Sequence, residues 1–279
     1  MSAPAHRSPV GSPSVGTSSA DRPPVARRDG VTLAHVVRSE RIKLLSLRST
    51  WWTLALTLAG LVGIALLPAA VFAWQGGAAP DVGALTTGVL LAQVPVAVLG
   101  VLTITGEHAT GAVRATMTAV PRRVPVLLAK AVVLAVTAVV LGVVGVLLAA
   151  LATLPLYGAD APSLASGEAV RVVVGAGLYL AGVALLGLAL GWLVRSSAGG
   201  VALVLALLLF LPSLLALLGS LVGSELLVRA ATYLPGEAGA RVMAVGPGVL
   251  GPWEGLGVMA LWVVVLLGAA ALVLRRRDV

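Results

Sequence analysis

Residues 125–151 read PVLLAKAVVLAVTAVVLGVVGVLLAAL, and this stretch decides the fold class of the chain. Its one charged residue, Lys130, lies near its start. A helix needs about 20 predominantly apolar residues to cross the hydrocarbon core of a bilayer. The stretch is longer than that, so it predicts a membrane-spanning helix that tilts or extends beyond the membrane surface.

The rest of the chain has the same character. Of its 279 residues, 59% are hydrophobic and 11% are charged, whereas a soluble domain is about 25% charged. A surface this poor in charge requires lipid around it. The predicted spans lie near 51–73, 84–105, 125–151, 171–194, 199–222 and 255–274. We therefore expect an all-α polytopic membrane protein with six transmembrane helices.

Positive charge is distributed unevenly between the two predicted sides. The formal net charge is +8, and all 19 Lys and Arg residues except Arg171, Arg229 and Arg241 fall on predicted cytoplasmic segments. This is the positive-inside pattern, so the charge requires no nucleic-acid partner. An even number of spans, with basic residues at both ends, predicts that both termini are cytoplasmic. The preference for Arg over Lys is typical of a high-GC bacterial genome, so we expect the bacterial cytoplasmic membrane.

Two segments precede the first span. Residues 1–30 are rich in Ser, Pro and Arg, so we expect a disordered cytoplasmic tail. Residues 31–48 mix apolar and basic positions at helical spacing, but they are too short and too charged to cross a membrane. This pattern predicts an amphipathic helix on the cytoplasmic surface, with its basic groups toward lipid head groups.

Tryptophan placement agrees with the predicted spans, because indole rings are favoured at membrane interfaces. The residues at predicted interfaces are Trp51, Trp52, Trp74, Trp192 and Trp253, while Trp262 lies inside the sixth span. Between the last two spans, Gly and Pro residues interrupt residues 223–254 throughout. That segment is therefore predicted to be extracellular or re-entrant, with helical pieces at 226–229 and 238–244.

The segment between the second and third spans, residues 106–123, reads GEHATGAVRATMTAVPRR. It is polar, basic and compact, and Glu107 stands at the inner mouth of the second span. We predict a short helix over 110–120 that ends at Pro121. The composition fits two interpretations, a surface that docks on a soluble partner and an ordinary positive-inside loop.

Several chemistries are excluded by the sequence. The chain has no Cys and no His-Glu-x-x-His motif, which excludes thiolate zinc clusters, cysteine nucleophiles and helix-borne zinc proteases. A P-loop requires Gly-x-x-x-x-Gly-Lys-Ser/Thr, but the two lysines, Lys43 and Lys130, are followed by Leu44 and Ala131. We therefore expect no enzyme activity, cofactor or metal in this chain, and any nucleotide energy must come from another chain.

The predicted span interiors hold almost no ionisable residue. This argues against an ion-coupled carrier, although carbonyl-based sodium sites are still compatible with the sequence. An apolar path suits an amphipathic or lipid-like substrate. Gln93 and Pro95 of the second span are candidates to line that path, and a structural kink is the competing interpretation. The Gly187-x-x-x-Gly191 match in the fourth span predicts close helix packing within the chain.

Three motifs resemble the permease subunits of type-2 ABC transporters. Residues 39–44 (SERIKL) with 48–52 (RSTWW) resemble the entry to their first span. Residues 105–116 (TGEHATGAVRAT) resemble their Gly-Glu-x-x-x-Gly-x-x-Arg loop, and AVPRR at 119–123 continues the likeness. Residues 233–239 (YLPGEAG) resemble a Tyr-Leu-Pro motif before their last span. The layout agrees over residues 31–279, but His108 stands where these permeases commonly have an aromatic residue.

The resemblance implies a bacterial exporter that works with a separate ABC ATPase subunit, which would hold the ATP and Mg. Residues 31–48 would be a connecting helix that contacts the ATPase, with candidate residues Glu40, Arg41, Lys43 and Arg48. Residues 106–123 would be the coupling element, with candidate residues Gly106, Glu107, His108, Gly111, Arg114, Pro121, Arg122 and Arg123. Two permease protomers, identical or similar, would pair with two ATPase subunits, and substrate would pass between the protomers.

Two other functions fit the same composition. A membrane scaffold or sensor subunit would bind a partner without any substrate flux. An ATP-independent carrier would move its substrate down a gradient without an ATPase.

Overall fold

The computed structural model describes residues 33–77, 80–110 and 123–276, and within these ranges the regular structure is entirely helical. In chain order the helices are α1 (Leu33–Ser46), α2 (Arg48–Gln75), α3 (Val89–Thr110), α4 (Arg123–Tyr157), α5 (Gly167–Val194), α6 (Ser197–Leu205), α7 (Leu211–Val222), α8 (Glu225–Thr232), α9 (Pro235–Ala240) and α10 (Pro252–Arg276). Short 3₁₀ turns at Val82–Thr86 and Gly158–Asp160 flank α3 and α4, and a π-helical turn at Ala206–Phe210 joins α6 to α7.

Among the residues that the structure describes, six helical segments are long and apolar enough to cross a membrane, which confirms the predicted number of spans and indicates a multi-pass membrane protein. They are Arg48–Gln75, Val82–Glu107, Pro125–Asp160, Gly167–Val194, Ser197–Val222 and Pro252–Leu274. The third is longer than the predicted 125–151, because α4 continues to Tyr157. There the ring of Tyr157 packs edge-on against Phe72 of α2, with ring centroids 5.4 Å apart.

Helix α5 is the centre of the bundle, and most of its side chains are buried against α3, α4 and α10. Glycines allow these close crossings. A β-carbon at Gly187 would stand 2.5 Å from the Ala97 carbonyl oxygen of α3, and one at Gly142 of α4 would stand 2.7 Å from the α-carbon of Gly177. The packing predicted for the Gly187-x-x-x-Gly191 motif is confirmed, because it lies on the α3–α5 crossing.

Helix α1 packs mainly on α4. Its buried face repeats every turn at Val36, Glu40 and Leu44, whereas Arg38 and Arg41 are exposed. The apolar positions at helical spacing in α1 therefore lie on the face that packs against α4. We call the end of the bundle that holds α1, the last turn of α3 and the first turns of α4 the α1 end, and the opposite end the far end.

At the far end, the three arginines outside the positive-inside pattern all have partners. Arg171 donates to the carbonyls of Val242 and Ala244 at 2.7 and 3.1 Å, and Arg241 donates to the carbonyls of Leu250 and Gly246. The guanidinium groups of Arg171 and Arg241 therefore bind the backbone of the connection that follows α9.

The third of these arginines, Arg229, pairs with Glu225 along α8 at 3.3 Å. Helix α9 begins at Pro235 rather than near the predicted 238, because proline is well suited to a first helical turn. Trp192 lies two residues before the end of α5, and its side chain is buried against the core with 4% exposed, so its place at a membrane interface stays a prediction.

Candidate functional site

Four charged side chains meet at the α1 end. The Lys130 ammonium on α4 lies 2.6 Å from a carboxylate oxygen of Glu40 on α1 and 3.0 Å from one of Glu107 on α3. The Lys43 ammonium on α1 lies 2.7 Å from Glu40 and 3.4 Å from Glu107. We call these residues the charge cluster. Each lysine bridges both carboxylates, so α1, α3 and α4 are joined by one network.

Local helix geometry places these residues together. Glu40 lies one turn after Val36 and one turn before Leu44, on the face of α1 that packs against α4. Its side chain and that of Lys130 are each only 3% exposed, whereas Glu107 and Lys43 are 18% and 39% exposed. A buried charge is tolerated only with a partner of opposite charge, so the buried pair depends on correct docking of α1.

Opposing effects set the ionisation of the two cluster residues on α1. Burial acts to raise the pKa of the Glu40 carboxyl, but the charge of Lys130 and hydrogen bonds from both lysines outweigh it, so this pKa lies below its ordinary value of 4.5. Burial acts to lower the pKa of Lys43, yet its hydrogen bond to Glu40 and the charge of Glu107 outweigh it, so this pKa lies above 10.5. Both groups are therefore charged at neutral pH.

A cavity of ≈ 550 Å³ lies beside the charge cluster, between α1, α2, α3 and α4. The cluster residues line it together with the apolar side chains Leu99, Leu102, Val133 and Leu134. Its size is in the range of about 300–1,000 Å³ that is usual for small-molecule sites. The combination of apolar walls and a charged end fits an amphipathic molecule.

Thr50 of α2 also lines this cavity. Its hydroxyl oxygen is buried and has no hydrogen-bond partner among the described residues. Such a group costs free energy unless something satisfies it.

The structure brings only some of the predicted site residues together. Glu40 and Lys43 of the connecting helix and Glu107 of the coupling element belong to the charge cluster. Arg41 and Arg48 are exposed. Helix α3 continues to Thr110, so Gly106 and His108 are helical where a loop was predicted. Other predicted residues lie outside the described ranges, namely Gly111, Arg114, Pro121 and Arg122, while Arg123 begins α4.

Gln93 and Pro95 lie in the first half of α3. Gln93 is 2% exposed, its amide nitrogen donates to the Leu90 carbonyl, and its amide oxygen accepts a hydrogen bond of 2.5 Å from the Tyr179 hydroxyl of α5. Pro95 is half-buried in the same helix. Within this chain Gln93 is a polar contact between α3 and α5, and its role in lining a path stays a prediction.

Sequence reasoning missed the part that Lys130 plays. A single lysine inside the long apolar stretch 125–151 was the available signal, because an isolated charge in a span requires a partner. The sequence alone did not identify that partner, since Glu40 lies 90 residues earlier.

The chain matches no protein-family model and no curated protein. The resemblance to a family therefore rests on the short motifs in residues 39–52, 105–123 and 233–239 alone.

Proposed function

We propose that this chain is the permease subunit of an ATP-driven exporter of the type-2 ABC class, in the bacterial cytoplasmic membrane, with the α1 end and both termini in the cytoplasm. The observation that carries the proposal is the charge cluster. It joins α1 to both helices that flank residues 111–122, and these are the two places where the resemblance puts the partner ATPase.

The cluster gives a physical route for coupling. A movement imposed on α1 displaces Glu40, and the buried contact with Lys130 transmits it to α4. A movement of the segment after α3 acts through Glu107 on the same lysine. Buried ion pairs resist separation because each lone charge is costly. A movement that the ATPase imposes on α1 or on residues 111–122 would therefore move α3 and α4 together.

The proposed function also assigns the source of energy and the class of substrate. The sequence has no P-loop, so the ATPase subunit would bind the ATP and Mg. A second permease protomer would complete the transporter, since a path between protomers needs both. The apolar walls and charged end of the cavity favour an amphipathic or lipid-like substrate.

The proposal is tested first by looking for an ABC ATPase in the neighbouring reading frames, then by co-purification with that candidate and ATPase assays in lipid nanodiscs. The intact chain is compared with Glu107→Gln and with a chain whose residues 111–122 are replaced by a Gly/Ser linker. Glu225→Gln is the matched control, because Glu225 is an exposed carboxylate at 86% exposure on α8.

We expect the intact chain and the Glu225→Gln control to bind the ATPase and stimulate it equally. Glu107→Gln should bind but lose stimulation by roughly tenfold, as expected when a charged hydrogen bond in the coupling route is removed. The linker chain should fail to bind. An ATPase that never binds would favour the ATP-independent carrier, and binding without transport of any substrate would favour the scaffold or sensor subunit.

A further inference from the structure

The segment between α7 and α10 returns deep into the bundle. Trp262 of α10 donates a hydrogen bond of 3.1 Å to the Tyr233 carbonyl, and Trp262 lies ten residues, about 15 Å, along the helix from Pro252. The hydrocarbon core of a bilayer is about 30 Å thick. Tyr233 therefore lies near the middle of the span to which it is bonded.

Two contacts place α9 at a similar level. A β-carbon at Gly236 would stand 2.8 Å from the carbonyl oxygen of Leu208, which lies in the π-helical turn halfway along Ser197–Val222. A β-carbon at Gly239 would stand 3.1 Å from the ring of Tyr179, near the middle of α5. A β-carbon at Gly255, one turn after α10 begins, would meet the Ala238 carbonyl oxygen. Helix α9 therefore lies between the middle of the spans and their far end, below the level at which α10 begins.

Glu237 is the exception on this helix. Its neighbours Pro235, Gly236, Ala238 and Gly239 are buried, but Glu237 is exposed on the surface of the single chain. It makes no hydrogen bond or ion pair with any other residue that the structure describes. Glu225, the other acidic residue of this segment, pairs with Arg229.

An exposed carboxylate at this depth cannot face lipid, because a charge in the hydrocarbon region is strongly unfavourable and is found where water or a polar partner covers it. We propose that Glu237 lines a water-filled path within the membrane, and that its negative charge makes this path selective for cationic amphiphiles. The part that concerns transport rests on the proposed function, whereas the hydration of Glu237 does not.

Hydration is tested on the full chain in nanodiscs without any ATPase. The chain contains no Cys, so Glu237→Cys is the only thiol present. A cationic, membrane-impermeant methanethiosulfonate reagent reacts with thiolates in water and not with thiols in lipid. Leu261→Cys is the control, since Leu261 is 63% exposed and lies beside Trp262 on α10.

We expect Glu237→Cys to react at least about tenfold faster than Leu261→Cys, because only a hydrated thiol ionises readily. Equal rates at the two positions would overturn the proposal. A disulfide between two copies of Glu237→Cys in place of reagent labelling would also overturn it, since a direct contact between protomers would then cover this residue.

The charge preference is tested with the ATPase present, by ATP-driven flux of a fluorescent quaternary ammonium amphiphile and of its uncharged analogue. Glu237→Gln should reduce flux of the cation roughly tenfold, the effect of losing one ion pair to the substrate. Glu237→Asp should retain it, and flux of the uncharged analogue should not change. Equal loss for both probes would overturn the preference for cations, while the labelling experiment still decides whether the residue is hydrated.

Discussion

The buried pair of Glu40 and Lys130 shows how burial of a charged side chain constrains the position of a helix. Both side chains are almost completely inaccessible, and each has given up water for the other. In such pairs the attraction between charges roughly offsets the cost of removing them from water, so the pair adds little net stability. Removal of Glu40 is a different matter, because the buried Lys130 then keeps only the carboxylate of Glu107, which Lys43 also contacts. The pair thus specifies where α1 docks more than how strongly it docks.

Glu40→Gln should therefore destabilise the protein more than removal of both charges. We expect a loss of about 1–3 kcal/mol for Glu40→Gln, because Glu107 still compensates part of the buried Lys130 charge. The double variant Glu40→Leu with Lys130→Met should recover most of this loss. Thermal unfolding in detergent, followed by tryptophan fluorescence, measures the difference, and a double variant no more stable than the single one would contradict it.

The same variant removes a pH dependence. The pKa of Glu40 is lowered by folding, so its contribution to stability is present above pH 4.5 and is lost as the pH falls through the lower value in the folded state. The intact protein should thus lose stability below pH 4.5 with a steeper slope than Glu40→Gln. Lys43 acts at the other limit, since its raised pKa means that its contribution is lost only above pH 10.5.

At the scale of helices, the crossings of α5 depend on the absence of side chains. At Gly187 a β-carbon would collide with the backbone of α3, which cannot move aside as a flexible side chain can. At Gly268 of α10 a β-carbon would meet nothing within 4 Å. The two positions are both glycines in membrane-spanning helices, so they form a matched pair.

Gly187→Val should separate α3 from α5 and reduce the yield of folded protein, with a cost of about 1–3 kcal/mol or more from overpacking. Gly268→Val should behave as the unmodified chain. Size-exclusion profiles and melting temperatures in detergent measure both variants. Equal stability of the two variants would contradict the prediction, because it would show that α3 and α5 can accommodate a side chain at Gly187.

Hydropathy was sufficient to predict the helices but not their partners. The number of spans follows from apolar stretches of about 20 residues, which lipid imposes on any chain. The docking of α1 did not follow, because its face at Val36, Glu40 and Leu44 is typical of both a lipid contact and a protein contact. The charge cluster required contacts between residues far apart in sequence.

For the whole molecule, the distribution of basic residues sets the expected orientation. Exposed arginines gather at the α1 end, whereas those at the far end are occupied by carbonyls or carboxylates. Arg41→Cys should be labelled by an impermeant thiol reagent only in inverted vesicles, and Ser163→Cys, in the exposed connection before α5, only in intact cells. The opposite labelling would invert the topology and remove the ATPase from the α1 end.

The long separation between Glu40 and Lys130 also sets an order of events during synthesis. Helix α1 leaves the ribosome before any span, but the surface on which it docks belongs to α4, the third span to be made. Until then Glu40 has no buried partner and its carboxylate stays in water. The first two spans are therefore made before the main docking surface of α1 exists, and in a nascent chain stopped short of residue 130 α1 has only its contacts with α2 and Glu107.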